Sequence, residues 1–270
     1  MARRIDIKPK QSLGQNFLID DNIVKNIVRD LRLHPDDVVL EIGPGKGALT
    51  ENLLESAGQL LVVEIDGRVI GDLQRRFGNS HIIILHEDFL ETNLLQWHKH
   101  FGRKLRIAGN IPYHLTSSIL FKVFDEISAV HDLTIMIQRE VAQRIVAGPG
   151  TKEYGILSVL SQFYGVPNLL FNVSPNCFYP KPKVTSSVVQ IALRDRIPEE
   201  VNTALFRIVV KTSFGKRRKT LRNSLKFLPY DESTVLRIIS MTDFPLEKRP
   251  EDLSVNDFIR LTRLIEHEVE

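Results

Sequence analysis

The first two-thirds of this chain predict an α/β fold: a mostly parallel sheet with helices on both faces and an antiparallel hairpin at its edge. A small all-helical domain is predicted after it. Two observations carry this reading. Short apolar, β-rich runs alternate with helical patterns through the first part of the chain, whereas only helical texture remains beyond Arg196. Strand, helix and strand repeating at this pitch build a parallel sheet with its crossovers packed on the faces.

The strands are read, in order, at DVVLEIG (37–43), LLVVEID (60–66), HIIILHE (81–87), LRIAGN (105–110) and DLTIMIQ (132–138). Each is a short β-branched or leucine-rich run. Between them, GALTENLLESAG (47–58) and HLTSSILFKVFDEI (114–127) place apolar residues near helical spacing. NLLFNVS (168–174) and KVTSSVVQIAL (183–193) have no helix between them and should pair antiparallel as the edge hairpin. In the tail, SVNDFIRLTRLIEHEVE begins with Ser254 and has Asp257 three residues later, a capping-box-like helix start. The boundary is placed near Arg196, giving domains 1–196 and 197–270.

Composition narrows the classes. With 270 residues, 43% of them hydrophobic and 26% charged, the chain can bury a large core and a smaller second one. A single cysteine, Cys177, excludes a disulfide framework and a cysteine-rich zinc site. The opening MARRIDIKPKQ has no apolar leader core, and no run of about 18 apolar residues occurs, so a soluble, cytoplasmic protein without membrane contact is expected. His98 and His100 have metal-like spacing but no cysteine or carboxylate constellation beside them. They are read as surface residues, and no metal is expected.

Net charge is only +3, but it is unevenly placed. From Arg207 to Lys226 there are eight Lys/Arg and no acid, and the N-terminal arm carries Arg3, Arg4, Lys8 and Lys10 against Asp6 alone. Such clusters suit a polyanionic partner, since each phosphate contact releases counterions. Charge alone fits a solvated helix face equally well.

The carboxyl ends of the strands carry the chemistry. Gly43, Gly45 and Gly47 lie between the first strand and first helix, where glycines allow a tight turn and close approach to a ligand. Glu64 ends the second strand, placed to accept ribose hydroxyls, and Asp88 follows the third, placed to accept from an adenine amine. Gly43-x-Gly45-x-x-Ala48 also satisfies the dinucleotide fingerprint, so a nicotinamide dehydrogenase and a purely structural turn both remain open. The fourth strand ends in Asn110-Ile111-Pro112-Tyr113, with no recognisable hydride-transfer machinery.

In order, SLGQNFLID (12–20), EIGPGKGALT (41–50), VVEID (62–66), EDF (87–89), NIPY (110–113) and FYPKPKVTSSVV (178–189) resemble the motifs of the ribosomal RNA adenine dimethyltransferases. FGKRRKTLRNSL (214–225) resembles the signature of their bacterial small-subunit (16S) group. The resemblance runs from about Gln11 to the C-terminus. It implies a Rossmann-like S-adenosylmethionine-dependent methyltransferase sheet followed by a helical RNA-binding domain. It further implies cofactor contacts from Asn16, Leu18, Gly43, Gly45, Glu64, Asp88, Phe89 and Asn110. The product would be S-adenosylhomocysteine.

On this resemblance the acceptor is an exocyclic adenine amine, a poor nucleophile because its lone pair is delocalised into the ring. Asn110 and a main-chain carbonyl at Ile111 or Pro112 would hold it, with Pro112 fixing the local backbone. The base must leave its stack, and Tyr113 and Phe178 are the candidates to sandwich it. Core packing for Phe178 and a helix-start contact for Tyr113 are the competing readings. Lys181 and Lys183 would meet phosphates near the opening, and Lys216, Arg217, Arg218 and Arg222 would grip folded RNA. Cys177 is read as a small filler before Phe178. The expected activity is dimethylation of two adjacent adenines in a small-subunit rRNA hairpin loop, by a monomer acting on a pre-30S particle. The alternatives are a large-subunit (23S) resistance methyltransferase and a mainly non-catalytic assembly factor.

Overall fold

The structure, a computed structural model, describes residues 7–78, 80–197, 201–216, 219–241 and 244–269. The chain divides into two compact units. One comprises the residues up to Ala142 together with Pro167–Asp195; the other comprises Gln143–Val166 and the residues from Arg196 onward.

The first unit holds two sheets. The strands are β1 (Phe17–Leu18), β2 (Val38–Ile42), β3 (Gln59–Glu64), β4 (Ile82–His86), β5 (Leu105–Asn110), β6 (Val130–Gln138), β7 (Gly165–Val173), β8 (Phe178–Tyr179) and β9 (Ser186–Leu193). Seven form one sheet in the order β4-β3-β2-β5-β6-β9-β7. β2 to β6 pair in parallel, and β9 runs antiparallel to β6. All five residues of β2 are buried, the pattern of a strand covered on both faces, and this central position makes it the sheet's anchor.

The seven predicted strands are all present, each within a few residues of its expected span. The predicted helices lie at Ala48–Ser56 and Thr116–Asp125. The small sheet, β1 against β8, was not expected: Phe17 pairs with Tyr179 and Leu18 with Phe178. Two-residue strands show no periodicity from which to read them.

The second unit is helical in its own core. Phe163 stacks on Phe206 at 4.0 Å, and Arg207 donates to the Tyr164 hydroxyl at 2.7 Å while lying over that ring. The segment 143–166 joins this unit, whereas the pattern along the chain suggested an unbroken first domain to residue 196. The apolar helix Ile156–Tyr164 packs its aromatic rings there, a tertiary preference that linear patterning does not reveal. At the last helix, Ser254 and Asp257 exchange side-chain and backbone bonds of 3.1 and 2.9 Å, completing the expected box.

Candidate active site

A cleft of about 260 Å³ opens at the carboxyl ends of the parallel strands. β4, β3, β2 and β5 are adjacent and parallel, so their ends share one edge. That edge brings the glycine loop, Glu64, Asp88 and Asn110 to the same cavity.

The loop after β2 turns through left-handed φ values of +62° at Gly43 and +53° at Gly45. A Cβ on Gly45 would lie 2.8 Å from the Phe17 ring, so only glycine lets the N-terminal arm close on the loop. Glu64 is held by backbone: its Oε1 accepts from Asp66 N at 2.8 Å and its Oε2 from Gly45 N at 3.4 Å. Burial raises its carboxyl above the ordinary range, against the pull of those amides. Asp88 Oδ1 accepts from Leu90 N at 2.9 Å, which orients its carboxylate at the cleft wall beside buried Phe89.

Glu41, in β2, also lines the cleft and is fully buried, with Thr50 donating to its Oε2 at 2.7 Å. Burial pushes its carboxyl up to about 8, with the Thr50 bond opposing and the charge of Glu64 adding. The folded protein therefore keeps a proton that the unfolded chain releases above pH 4.5. The stability this group contributes is whole below that pH and is lost as pH rises toward 8. Glu41→Gln should accordingly melt above the parent protein at pH 8.5, with the gap shrinking steadily toward pH 5. Thermal melts across that range check it, and a pH-independent gap contradicts it.

The arm is secured across this loop. Ile7, Phe17 and Leu18 are buried in the core, and the Lys46 ammonium lies 5.3 Å from the Phe17 ring centre. Asp66 accepts from Gln15 Nε2 at 3.1 Å and from Arg68 Nη2 at 2.6 Å, while Arg68 Nη1 donates to the Lys8 carbonyl at 3.1 Å. The Arg68 guanidinium holds the Asp66 carboxyl well below the usual carboxylate range. Sequence reasoning did not identify this clamp or Glu41. The one available signal was Asp66 standing at a helix N-cap directly after the second strand.

Asn110 closes the site. Its Nδ2 donates to the Asn16 carbonyl at 2.7 Å, which leaves Oδ1 as an acceptor that no described group engages. The Pro112 carbonyl accepts from Leu115 N at 3.0 Å, whereas among the described residues no backbone N–H donates to that of Ile111. The Tyr113 hydroxyl shares a 2.7 Å hydrogen bond with Ser186 Oγ at the start of β9, and burial raises its pKa.

Asn16, Leu18, Gly43, Gly45, Glu64, Asp88, Phe89, Asn110, Pro112 and Tyr113 thus share one cleft. Phe178 does not join them. It is 3% exposed, packs in the core opposite Leu18, itself a cleft wall, and is not among the residues lining the cleft. Lys181 and Lys183 are exposed before β9. Lys216 is exposed with its ammonium 4.9 Å from the Phe227 ring centre, and Arg222 donates to Glu247 at 2.7 Å. Arg217 and Arg218 lie outside the described residues. Cys177 is half-buried, its Sγ 3.4 Å from Asp20 Oδ2.

The cleft's charge separates the open readings. Its walls carry the carboxyl groups of Glu64, Glu87 and Asp88 against one lysine, Lys46, while Glu41 keeps its proton up to about pH 8. That balance opposes a pyrophosphate and suits a nucleoside of positive charge. Among the described residues, no three His, Cys, Asp or Glu are grouped to hold a metal ion, and no helix is long and apolar enough to cross a membrane.

The family model for ribosomal RNA adenine dimethylase matches residues 7–265. The chain belongs to that family. As a ribosomal RNA adenine dimethylase it is an S-adenosylmethionine-dependent methyltransferase, and its relatives cover nearly its whole length. It is 39% identical to ribosomal RNA small subunit methyltransferase A of Alkaliphilus oremlandii, over 96% of this chain and 92% of the relative. It is 41% identical to the protein of the same name from Phocaeicola vulgatus, over 96% and 90%. Among solved structures, a dimethyladenosine transferase from Plasmodium falciparum superposes with a TM-score of 0.79 at 24% identity, covering 94% of this chain and 98% of the other. The 23S rRNA methyltransferase ErmE superposes at 0.68 and 23% identity, covering 93% and 100%. These two likenesses bear on the fold of the dimethylase, not on its target.

Proposed function

We propose that this dimethylase transfers methyl groups from S-adenosylmethionine to the N6 amines of two adjacent adenines in a small-subunit rRNA hairpin loop. The observation that carries the reading is Asn110 at the end of β5, its Nδ2 spent on Asn16 and its Oδ1 left to accept, next to Ile111 in the wall of a carboxyl-lined cleft. The small-subunit assignment rests on relatives of that name at 39% and 41% identity.

Glu64 and Asp88 would bind the ribose and adenine of the cofactor, with Asn16, Leu18, Gly43, Gly45 and Phe89 forming its walls. When bound, the cofactor supplies a methyl group already activated by a sulfonium. The protein's own task is therefore positioning. The two acceptors at Asn110 and Ile111 take one N–H each and fix the amine's direction, fixed dipoles needing no reorganisation. Pro112 stiffens that corner, and Tyr113, its hydroxyl tied to Ser186, offers a ring to the base. Lys181, Lys183, Lys216, Arg217, Arg218 and Arg222 would meet rRNA phosphates, the last four from the helical region 197–270. The setting is a cytoplasmic monomer acting on a pre-30S particle.

The test is to incubate the protein and labelled S-adenosylmethionine separately with undermethylated small subunits and large subunits, then map the modified adenines. Dimethylation of two neighbouring small-subunit adenines is expected. Label only on large-subunit RNA would overturn the assignment.

A further inference from the structure

Adjacent residues on a strand face opposite ways, so only one ring of the Phe178–Tyr179 pair can face solvent. The structure decides which: Phe178 is 3% exposed and Tyr179 is 59% exposed. Register then locates the exposed ring. Tyr179 pairs directly with Phe17, and directly opposed residues of an antiparallel ladder lie on the same face. Phe17 is a wall of the cleft and meets Gly45. Leu18, opposite Phe178, lines the cleft as well, so the whole β1–β8 ladder borders it, and Tyr179 is the exposed ring of that ladder, outside the cleft walls.

Its surroundings are not those of a core residue. Ile19 is 59% exposed beside the same ladder, and Val184 is 42% exposed after it. Lys181 and Lys183 are exposed two and four positions on, with Pro182 buried between them. Among the described residues no acidic side chain bonds either lysine. An open aromatic face with two cations beside it is the combination that holds single-stranded nucleic acid: the ring stacks on a base while the ammonium groups meet its phosphates.

We infer that Tyr179 is a stacking platform for an unpaired nucleotide of the RNA strand entering the cleft, a positioning residue distinct from the groups that hold the target amine. The inference rests on the rRNA-methylation reading above, and a two-part experiment separates the two. Affinity for a fluorescent single-stranded oligoadenylate is measured by anisotropy for the parent, Tyr179→Ala and Tyr179→Phe. In parallel, kcat and KM are measured on undermethylated small subunits, and S-adenosylhomocysteine affinity by calorimetry.

Tyr179→Ala should weaken oligoadenylate binding and raise the KM for particles, each about tenfold. The kcat and the affinity for S-adenosylhomocysteine should stay within about twofold, since the residue lies outside the cofactor cleft. Tyr179→Phe should match the parent, because the ring and not the hydroxyl does the stacking. Unchanged binding and KM in Tyr179→Ala, or an equal loss in Tyr179→Phe, would overturn the inference. A parent protein that binds oligoadenylate through Tyr179 but never labels small subunits would instead overturn the proposed substrate.

Discussion

Asn110→Ala is expected to lower the rate of methyl transfer by about 10²–10³-fold, the usual cost of removing one preorganised group at a reacting centre. The side chain has two jobs that the structure separates. Its nitrogen donates to the Asn16 carbonyl, and its oxygen is left to accept. Alanine removes both, yet the cleft's other contacts remain, so cofactor affinity should fall by less than about tenfold, the scale of one neutral hydrogen bond. Asn110→Asp discriminates further. It keeps an acceptor oxygen but sets a carboxylate against the Asn16 carbonyl, so the group should turn away and activity should stay low. Single-turnover transfer and calorimetry with S-adenosylhomocysteine measure the two effects. An Asn110→Ala variant with near-normal turnover would remove the positioning mechanism.

The second large effect lies at the opposite end of the sheet. Arg106, buried in β5, donates to Asp132 of β6 at 2.6 and 3.0 Å and to Asp37 at 2.8 Å. It also donates to the carbonyls of Leu31 and Arg32, which end the helix Asp21–Leu31. Arg106→Met should destabilise the first unit by about 3–5 kcal/mol, because it leaves the Asp132 carboxylate buried without its cation. For a unit of this size that corresponds to a fall in melting temperature on the order of 10 °C. Replacing Asp132 by leucine in the same chain should restore part of the loss, since removing both charges spares the desolvation cost. Calorimetric melts of the single and double variants test this. A single variant that melts within a degree or two of the parent would show that the pair contributes little.

The parallel sheet was legible in the sequence because each strand is a sustained apolar run whose length and flanks differ from those of the helices. The cleft was legible for a related reason: a glycine turn and three polar residues each stood at a strand's carboxyl end. What escaped was set by contacts across the chain. β1 and β8 are too short to carry a period, and neither shows that residue 17 meets residue 179. The Asp66–Arg68–Gln15 clamp joins residues 51 positions apart through side chains that read as ordinary surface polarity. Phe178 and Tyr179 are neighbours of similar chemistry, and motif order cannot tell which of them faces inward. Burial settles which ring faces inward: Phe178 is packed in the core and Tyr179 is exposed.

The bond from Asn110 to residue 16 reaches a main-chain oxygen. Any amino acid at position 16 supplies that oxygen, so a change of side chain there does not by itself turn the Asn110 amide. The two motifs are joined, yet the side chain at position 16 is free to vary while the Asn110 corner keeps its orientation. Drift in ligand affinity and drift in chemistry can then proceed at this point of the molecule without one dragging the other.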